Sequence, residues 1–329
     1  MESCEEVTQR MLTREEARGI YVLVPTPLDS KGRFDEHTFR ENVRKLCKSG
    51  VHGIATTGTV GEFYTLSWED HKRLINALVD EASKCQKKLA TIVGCSGLNT
   101  KETIEKTSYA ESQGVDAVMN VVPFYQKLWE WEVVEFWSDL AKACPNIGIF
   151  IYNNPITGRV LHTREIYKKL AKYPNILGSK EVVTNFDHWL SLQDTGLVHM
   201  HIDILFVPTM MWGAKGCFSG GACIRPHLLL KTYELCEQGE WEKAKELQLL
   251  INELMACHDR HDYPITPGGS AAVYKAFVEA GGFLKCGNPG KPYLPVGESV
   301  KLQIKKELAK VQKRIDEVLS RLDDFEGVK

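Results

Sequence analysis

Short apolar runs alternate with amphipathic segments of helical length along most of the chain, and this alternation limits the folds that it can adopt. A short apolar run is typical of a strand that is buried on both faces, and strands separated by a helix pair in parallel. Eight such units in succession favour a (β/α)8 TIM barrel over a doubly wound sheet, and no Gly-rich dinucleotide fingerprint is present. The predicted strands are Ile20–Pro25, Val51–Thr57, Leu89–Gly94, Asp116–Val122, Ile147–Tyr152, Ile176–Lys180, Val198–Ile202 and Lys215–Ser219.

Helices are predicted after each strand, and only helices are predicted after residue 238. The sequence is therefore divided into a lead-in (residues 1–18), the barrel (19–238) and a C-terminal helical extension (239–329). In the lead-in, Thr13-Arg-Glu-Glu16 resembles a capping box and predicts a short helix from Thr13. The other predicted helices are Asp35–Lys48, Ser67–Lys84, Thr100–Gly114, Trp131–Ala143, Thr163–Ala171, Asn185–Leu192, Ile204–Trp212, Pro226–Gln238, Glu240–Cys257, Ser270–Ala280 and Gly297–Leu322.

The charge and cysteine patterns restrict the class of protein. The net charge of −2 gives no reason to expect binding to nucleic acid or to an anionic membrane. The ten cysteines have no CxxC or paired spacing, the N-terminus lacks the regions of a signal peptide, and no apolar run approaches the ~18 residues of a membrane span. The sequence therefore predicts a cytoplasmic protein with reduced cysteines.

The carboxyl ends of barrel strands form the active site in folds of this kind, so the residues at those ends are the candidates. Lys180 closes the sixth predicted strand and Tyr152 closes the fifth. A lysine that ends an apolar strand is costly to bury unless it is paired, neutral or covalently converted. The turn Gly58–Gly61, after the second strand, can present backbone N–H groups to a carboxylate.

These groups suit imine chemistry on a small 2-keto acid. An amine that attacks a keto group must be uncharged, and an apolar pocket favours the neutral form. The resulting iminium is an electron sink that permits cleavage or formation of the adjacent C–C bond, while a nearby phenol passes protons. We therefore predict that Lys180 is a Schiff-base nucleophile and Tyr152 its proton relay, with no cofactor and no metal.

Four motifs in this order resemble one known family. They are Gly58-Thr-Val-Gly-Glu62 with Tyr64-Thr-Leu-Ser67, then Pro123-Phe-Tyr125, Tyr152-Asn-Asn-Pro155, and Lys180. The chain is similar to the dihydrodipicolinate synthase / N-acetylneuraminate lyase family of class I, pyruvate-dependent aldolases, over most of its length. The resemblance implies a barrel with a helical extension, usually a homotetramer, that acts on pyruvate and an aldehyde.

The resemblance also implies roles for individual residues. Lys180 would form the Schiff base, Tyr152 would relay protons, and Thr59 with the backbone of residues 59 and 60 would hold the keto acid's carboxylate. Tyr125, after strand four, and the end of strand eight would complete the substrate site. The predicted substrate-binding set is Thr59, Val60, Tyr125, Phe218 and Ser219.

Departures from the lysine-pathway synthases indicate a different acceptor. Val60 replaces a threonine, and Thr157 stands where those enzymes carry an arginine for a second carboxylate. The pattern resembles the hydratase-aldolase branch, which uses aryl-substituted unsaturated keto acids, although Phe218 replaces its pocket tryptophan and Ser270 its pocket asparagine. The segments that resemble this branch are Leu98–Glu102, Val133–Asp139, Gly239–Lys245 and Ala280–Gly287.

Several alternatives stay open. Within the family, they are a 4-hydroxy-tetrahydrodipicolinate synthase and a sugar-acid aldolase like N-acetylneuraminate lyase. His199-Met-His201-Ile-Asp203 places two imidazoles and a carboxylate on alternate residues, as in a metal-dependent barrel hydrolase, but the neighbouring strand ends lack further ligands. A barrel that binds a keto acid without converting it is the remaining possibility.

Overall fold

Eight parallel strands close into a barrel in chain order, so the predicted (β/α)8 fold is confirmed. The computed structural model describes residues 11–259 and 271–326. Each strand pairs with the next along the chain, and β8 pairs with β1. The strands are β1 (Gly19–Val24), β2 (Gly53–Thr56), β3 (Ala90–Val93), β4 (Ala117–Asn120), β5 (Gly148–Asn153), β6 (Ile176–Glu181), β7 (Val198–Ile202) and β8 (Gly216–Ser219).

Helices follow every strand, and local capping explains several of their starts. The side chain of Ser67 accepts a hydrogen bond from the backbone N–H of Asp70, as is typical of an N-cap residue. Asn99 caps its helix in the same way. The helices are α1 (Glu36–Ser49), α2 (Trp68–Ala82), α3 (Thr100–Gln113), α4 (Glu130–Ala143), α5 (Pro155–Gly158), α6 (Arg164–Leu170), α7 (Phe186–Ser191), α8 (Phe206–Met211), α9 (Pro226–Glu237), α10 (Trp241–Asp259), α11 (Ala271–Gly281) and α12 (Glu298–Glu326).

Two apolar layers hold the barrel together. Inside it, the rings of Tyr21, Phe150 and Phe218 meet edge to face, with centroids 5.3–6.0 Å apart. Outside it, alternate residues of the same strands pack against the helices in a larger cluster. Burying one ring stabilises the fold by about 2–3 kcal/mol relative to leaving it exposed. Successive side chains of a strand point to opposite faces, so each side chain packs in only one of these two layers.

In its described residues, the extension contains α10, α11 and α12, which pack on one another, while α10 also packs on α9. The core cluster outside the strands continues into these helices. The division at residues 238/239 therefore stays a prediction. No helix within residues 11–259 and 271–326 is long and apolar enough to cross a membrane.

The predicted helix at Thr13 is wrong, because the chain forms only a single turn there. The capping hydrogen bond is present, since Thr13 N–H donates to Glu16 at 3.0 Å. Helix growth stops because β1 begins at Gly19, and because the Arg14 guanidinium donates to the carbonyls of Ile176, Ala171 and Tyr173. This lead-in is thus bonded to the chain around β6.

The prediction that all cysteines are reduced is wrong for one pair. Cys47, in the last turn of α1, is disulfide-bonded to Cys85, just after α2, with the Cα atoms 5.5 Å apart. The helices α1 and α2 pack side by side, which brings together two residues that are 38 positions apart. The seven other cysteines in the described ranges carry free thiols.

Thiol titration checks this bond. The unfolded, unreduced protein is expected to show two fewer thiols than the reduced protein, because Cys47 and Cys85 are bonded to each other. In a Cys47→Ser/Cys85→Ser variant the two counts should agree. Equal counts in the parent protein would restore the reduced state that the sequence predicted.

Candidate active site

Tyr152 and Lys180 are register partners on adjacent strands, and both lie at the carboxyl end of the barrel. Both side chains are buried, with 7% and 3% of their surface exposed. Lys180 Nζ lies 3.8 Å from the centroid of the Tyr152 ring and 6.0 Å from that of Phe218. Within the described residues Lys180 forms no ion pair with a carboxylate. A buried lysine that no carboxylate pairs is a candidate nucleophile.

The Tyr152 hydroxyl is held by two side chains. Thr59 Oγ1 donates to it at 3.4 Å and Asn154 Nδ2 donates at 3.2 Å. Burial raises the pKa of the Tyr152 phenol, but the nearby Lys180 ammonium and these hydrogen bonds outweigh burial and lower it below its usual value. A phenol with a lowered pKa between a lysine and a threonine can accept and return protons.

The turn between β2 and α2 brings Thr59 to this pair. Thr57 and Glu62, at its two ends, adopt left-handed backbone angles with φ of 52° and 55°. A side chain at Gly61 would place its Cβ 2.4 Å from the backbone nitrogen of Thr57, so glycine is required there. In the described part of the chain, the N–H groups of Thr59 and Val60 donate to no protein acceptor. They are therefore available to a ligand.

The other predicted substrate residues lie in different environments. Val60 is partly buried and packs against the barrel interior, together with Phe124, Val182 and Ile202, so the carboxyl end of the barrel is largely apolar. Phe218 is fully buried inside the barrel below Lys180. Tyr125 lies in the loop after β4 with 73% of its surface exposed.

Ser219 does not face the barrel interior. Its hydroxyl donates to Asp203 and accepts from the N–H of Ala222 at 3.0 Å. Because strand residues alternate, Phe218 and Ser219 point to opposite faces, and Ser219 points toward the helices. The predicted contact of Ser219 with substrate therefore has no support in this geometry.

Behind the pair, a buried polar cluster occupies the outer face of β5 and β6. Asn153 and Glu181 are register partners, one residue beyond Tyr152 and Lys180, and Asn153 Nδ2 donates to Glu181 at 2.7 Å. Tyr167 and Ser179 each donate a hydroxyl to the same carboxylate at 2.6 Å. This cluster holds the two strands together from the side opposite to the candidate nucleophile.

Hydrogen bonding keeps the Glu181 carboxylate charged. Burial raises the pKa of Glu181, but His188 and the hydroxyl donors outweigh burial and lower it. Burial lowers the pKa of His162 and His199 to about 4, so both rings are neutral near pH 7. We did not predict this cluster from the sequence, although the alternation of β5 and β6 places Asn153 and Glu181 opposite to Tyr152 and Lys180.

The His199, His201 and Asp203 side chains have separate partners. The ring of His199 lies 2.7 Å from Ser179 Oγ and 2.7 Å from Thr195 Oγ1, while His201 Nε2 lies 3.1 Å from the Val183 carbonyl. Asp203 accepts the Gly220 N–H at 2.7 Å, and its burial raises its pKa. Within residues 11–259 and 271–326, no group of histidine, cysteine or acidic residues could hold a metal ion.

Ser270, predicted at the position of the pocket asparagine, lies outside the described residues. Leu98, Trp129 and Trp131 are exposed, as is Tyr125. Trp129 and Trp131 are thus surface residues and not part of the core.

Known proteins resemble the chain over most of its length. A model of the "Dihydrodipicolinate synthetase family" matches residues 16–311. A 4-hydroxy-tetrahydrodipicolinate synthase from Methanopyrus kandleri is 32% identical over 297 residues, which cover 88% of this chain and 94% of that protein.

Solved structures have the same fold. A dihydrodipicolinate synthase superposes with a TM-score of 0.80 at 28% identity, covering 91% of this chain and 99% of the other. The sialic acid aldolase of Ruminococcus gnavus superposes with a TM-score of 0.81 at 23% identity, covering 91% and 99%. At 23% identity, the similarity to the sialic acid aldolase shows a shared fold only.

Proposed function

The chain belongs to the dihydrodipicolinate synthetase family of class I, pyruvate-dependent aldolases, and from this premise we propose that Lys180 forms a Schiff base with pyruvate or a pyruvate-derived 2-keto acid. The observation that carries the proposal is the buried Lys180 amine, 3.8 Å from the Tyr152 ring, with no carboxylate paired to it among the described residues. The family's carbon–carbon lyase activity needs such an amine.

Tyr152 is the proposed proton carrier in the cleavage reaction. Lys180 Nζ adds to the keto carbon, and Tyr152 helps the carbinolamine oxygen leave as water, which gives an iminium. The C3–C4 bond of the bound acid then breaks, the C4 hydroxyl proton goes to the Tyr152 oxygen, and the bond's electron pair converts the iminium to an enamine. An aldehyde leaves, and the Tyr152 hydroxyl returns its proton to C3 of the enamine, which becomes an iminium again. Water then adds to the iminium carbon, and the C–N bond breaks to release pyruvate and the Lys180 amine.

The keto acid's carboxylate has a proposed site at the turn. The N–H groups of Thr59 and Val60 have no protein acceptor in the described ranges, and the Thr59 hydroxyl already contacts Tyr152. A carboxylate bound there lies on the same side of the barrel as Lys180. Oriented N–H groups in such a turn stabilise an anion.

The acceptor is proposed to be an aromatic aldehyde, as in a hydratase-aldolase. Val60, Phe124, Val182 and Ile202 make the carboxyl end apolar, and Thr157 supplies no cation for a second carboxylate. The second candidate is 4-hydroxy-tetrahydrodipicolinate synthesis, which the 32% identity with the Methanopyrus kandleri enzyme favours.

Borohydride trapping and an aldehyde panel test these proposals. Pyruvate with borohydride is expected to add a reduced adduct to the peptide that contains Lys180, and with pyruvate an aromatic aldehyde should react faster than a sugar or aspartate semialdehyde. A preference for aspartate semialdehyde would favour the second candidate. If the folded protein forms no adduct, the imine mechanism is contradicted. If a chelator abolishes activity, a metal-dependent hydrolase is supported instead. Adduct formation without turnover of any aldehyde would indicate a keto-acid-binding protein.

We also propose that the protein is cytoplasmic and is a homotetramer or homodimer. Exposed apolar side chains support self-association, since Tyr125, Trp129 and Trp131 are exposed, and a separate groove contains Met211 and Trp212. Light scattering coupled to size exclusion would measure the mass, and a monomer at micromolar concentration would contradict the proposal.

A further inference from the structure

We propose that Lys275 in the C-terminal extension is a positioning residue for keto-acid binding, because its buried ion pair with Glu62 holds the turn that presents the Thr59 and Val60 N–H groups. The proposal rests on the proposed function of that turn. It assigns the extension a role in the barrel's own site.

Both side chains of the ion pair are buried. Lys275 Nζ lies 2.7 Å from Glu62 Oε2, and the two side chains are 1% and 0% exposed. Removing two charges from water is costly, and their attraction offsets that cost only when the remaining hydrogen-bonding capacity is also used. Breaking such a pair leaves an uncompensated buried charge, which the surrounding backbone must accommodate.

Both partners have further contacts in the loop that follows α11. Lys275 Nζ donates to the Asn288 carbonyl at 2.8 Å, and Gly290 N–H donates to the Glu62 carboxylate at 3.2 Å. A Cβ at Gly290 would lie 2.3 Å from Thr65 Oγ1, so the loop and the turn are in direct contact. Glu62, Lys275 and this loop therefore form one packed unit.

The turn itself needs an external constraint. Thr57 and Glu62 both have left-handed backbone angles, which cost a non-glycine residue about 1 kcal/mol or more each. Such angles persist only when the surroundings determine them. Thr26 Oγ1 donates to the Gly61 carbonyl at 2.6 Å, and the Lys275 pair fixes the neighbouring Glu62.

The strand pairing that places the catalytic pair lies outside this turn, and of the two side chains that hold the Tyr152 hydroxyl only Thr59 belongs to the turn, while Asn154 does not. Tyr152 and Lys180 are fixed by the pairing of β5 with β6 and by the Asn153–Glu181 hydrogen bond behind them. Loss of Lys275 should therefore weaken binding of the keto acid while the chemical step is largely kept. This division between KM and kcat is the signature of a positioning residue at the carboxylate turn.

Kinetics of Lys275→Met test the proposal in the full chain. The KM for pyruvate, and the pyruvate concentration for half-maximal borohydride trapping, are expected to rise at least 10-fold, with kcat within about 3-fold of the parent. Lys301→Met is the matched control, because it removes the exposed ion pair of Lys301 with Glu298 in the same extension. It should change neither quantity.

A second variant keeps the test decisive if Lys275→Met does not fold. The double variant Glu62→Gln/Lys275→Met removes both charges of this pair and keeps a side-chain oxygen that can accept from the Gly290 N–H. Folding should therefore be recovered, while the KM stays raised at least 10-fold. A folded single or double variant with the parental KM would overturn the proposal. If the parent itself gives no borohydride adduct, the proposed function fails, and that result is distinct from an unchanged KM.

Discussion

A Lys180→Ala variant is expected to fold and to lose at least about three powers of ten in kcat for aldol cleavage. The change removes the only group proposed to bond covalently to the substrate, so the route through an electron sink is lost. The measurement is the steady-state release of pyruvate, together with mass analysis after borohydride treatment. No adduct should form at position 180.

Stability should separate this loss from unfolding. Lys180 is buried against aromatic faces without a carboxylate partner in the described ranges, so its removal should leave the melting temperature unchanged or higher. Lys101→Ala is the matched control, since its side chain is exposed on α3. A Lys180→Ala variant with full lyase activity would refute the assignment.

Tyr152→Phe is expected to lower kcat by about two to three powers of ten, as is typical for removal of a general acid–base group. The ring over Lys180 Nζ is kept, so the borohydride adduct should still form, although more slowly. Tyr109→Phe is the control, because its hydroxyl donates to Asn76 on the barrel's outer helices. Parental kcat in Tyr152→Phe would exclude the phenol from proton transfer.

The lowered pKa of Tyr152 predicts how the aldolase activity depends on pH. Since the Lys180 ammonium and the Thr59 and Asn154 donors lower the pKa of Tyr152, the phenol loses its proton at a lower pH than an ordinary tyrosine. If the protonated phenol is needed, activity should fall on the alkaline side at that lower pH. This alkaline limb should disappear in Tyr152→Phe.

The alternation of short apolar runs with amphipathic helical segments was sufficient to predict the (β/α)8 barrel. The strand and helix periods differ, so the eight units could be found locally, and most of the bounds agree with the structure within two residues. The same period bears on Ser219, whose contact with substrate stays a prediction without support from the geometry. Two neighbouring residues of a strand cannot both face the barrel interior, and Phe218 already occupied it.

Contacts between distant residues could not be predicted in this way. The disulfide joins Cys47 to Cys85 because two helices lie side by side, and no spacing in the sequence encodes that contact. The sequence gives no partner for the Glu62 side chain outside its own turn. That side chain accepts from Gly290 and pairs with Lys275, more than 200 residues away, which only the folded chain brings together.

The cluster behind β5 and β6 has a consequence for redesign. Asn153 and Glu181 secure Tyr152 and Lys180 from the rear of the sheet, while Val60 and Phe124 belong to loops at the mouth. With the proposed roles, reaction type and aldehyde choice depend on separate parts of the molecule. We therefore expect that libraries that vary the side chains of Val60 and Phe124 can change the preferred aldehyde while the borohydride adduct on Lys180 still forms.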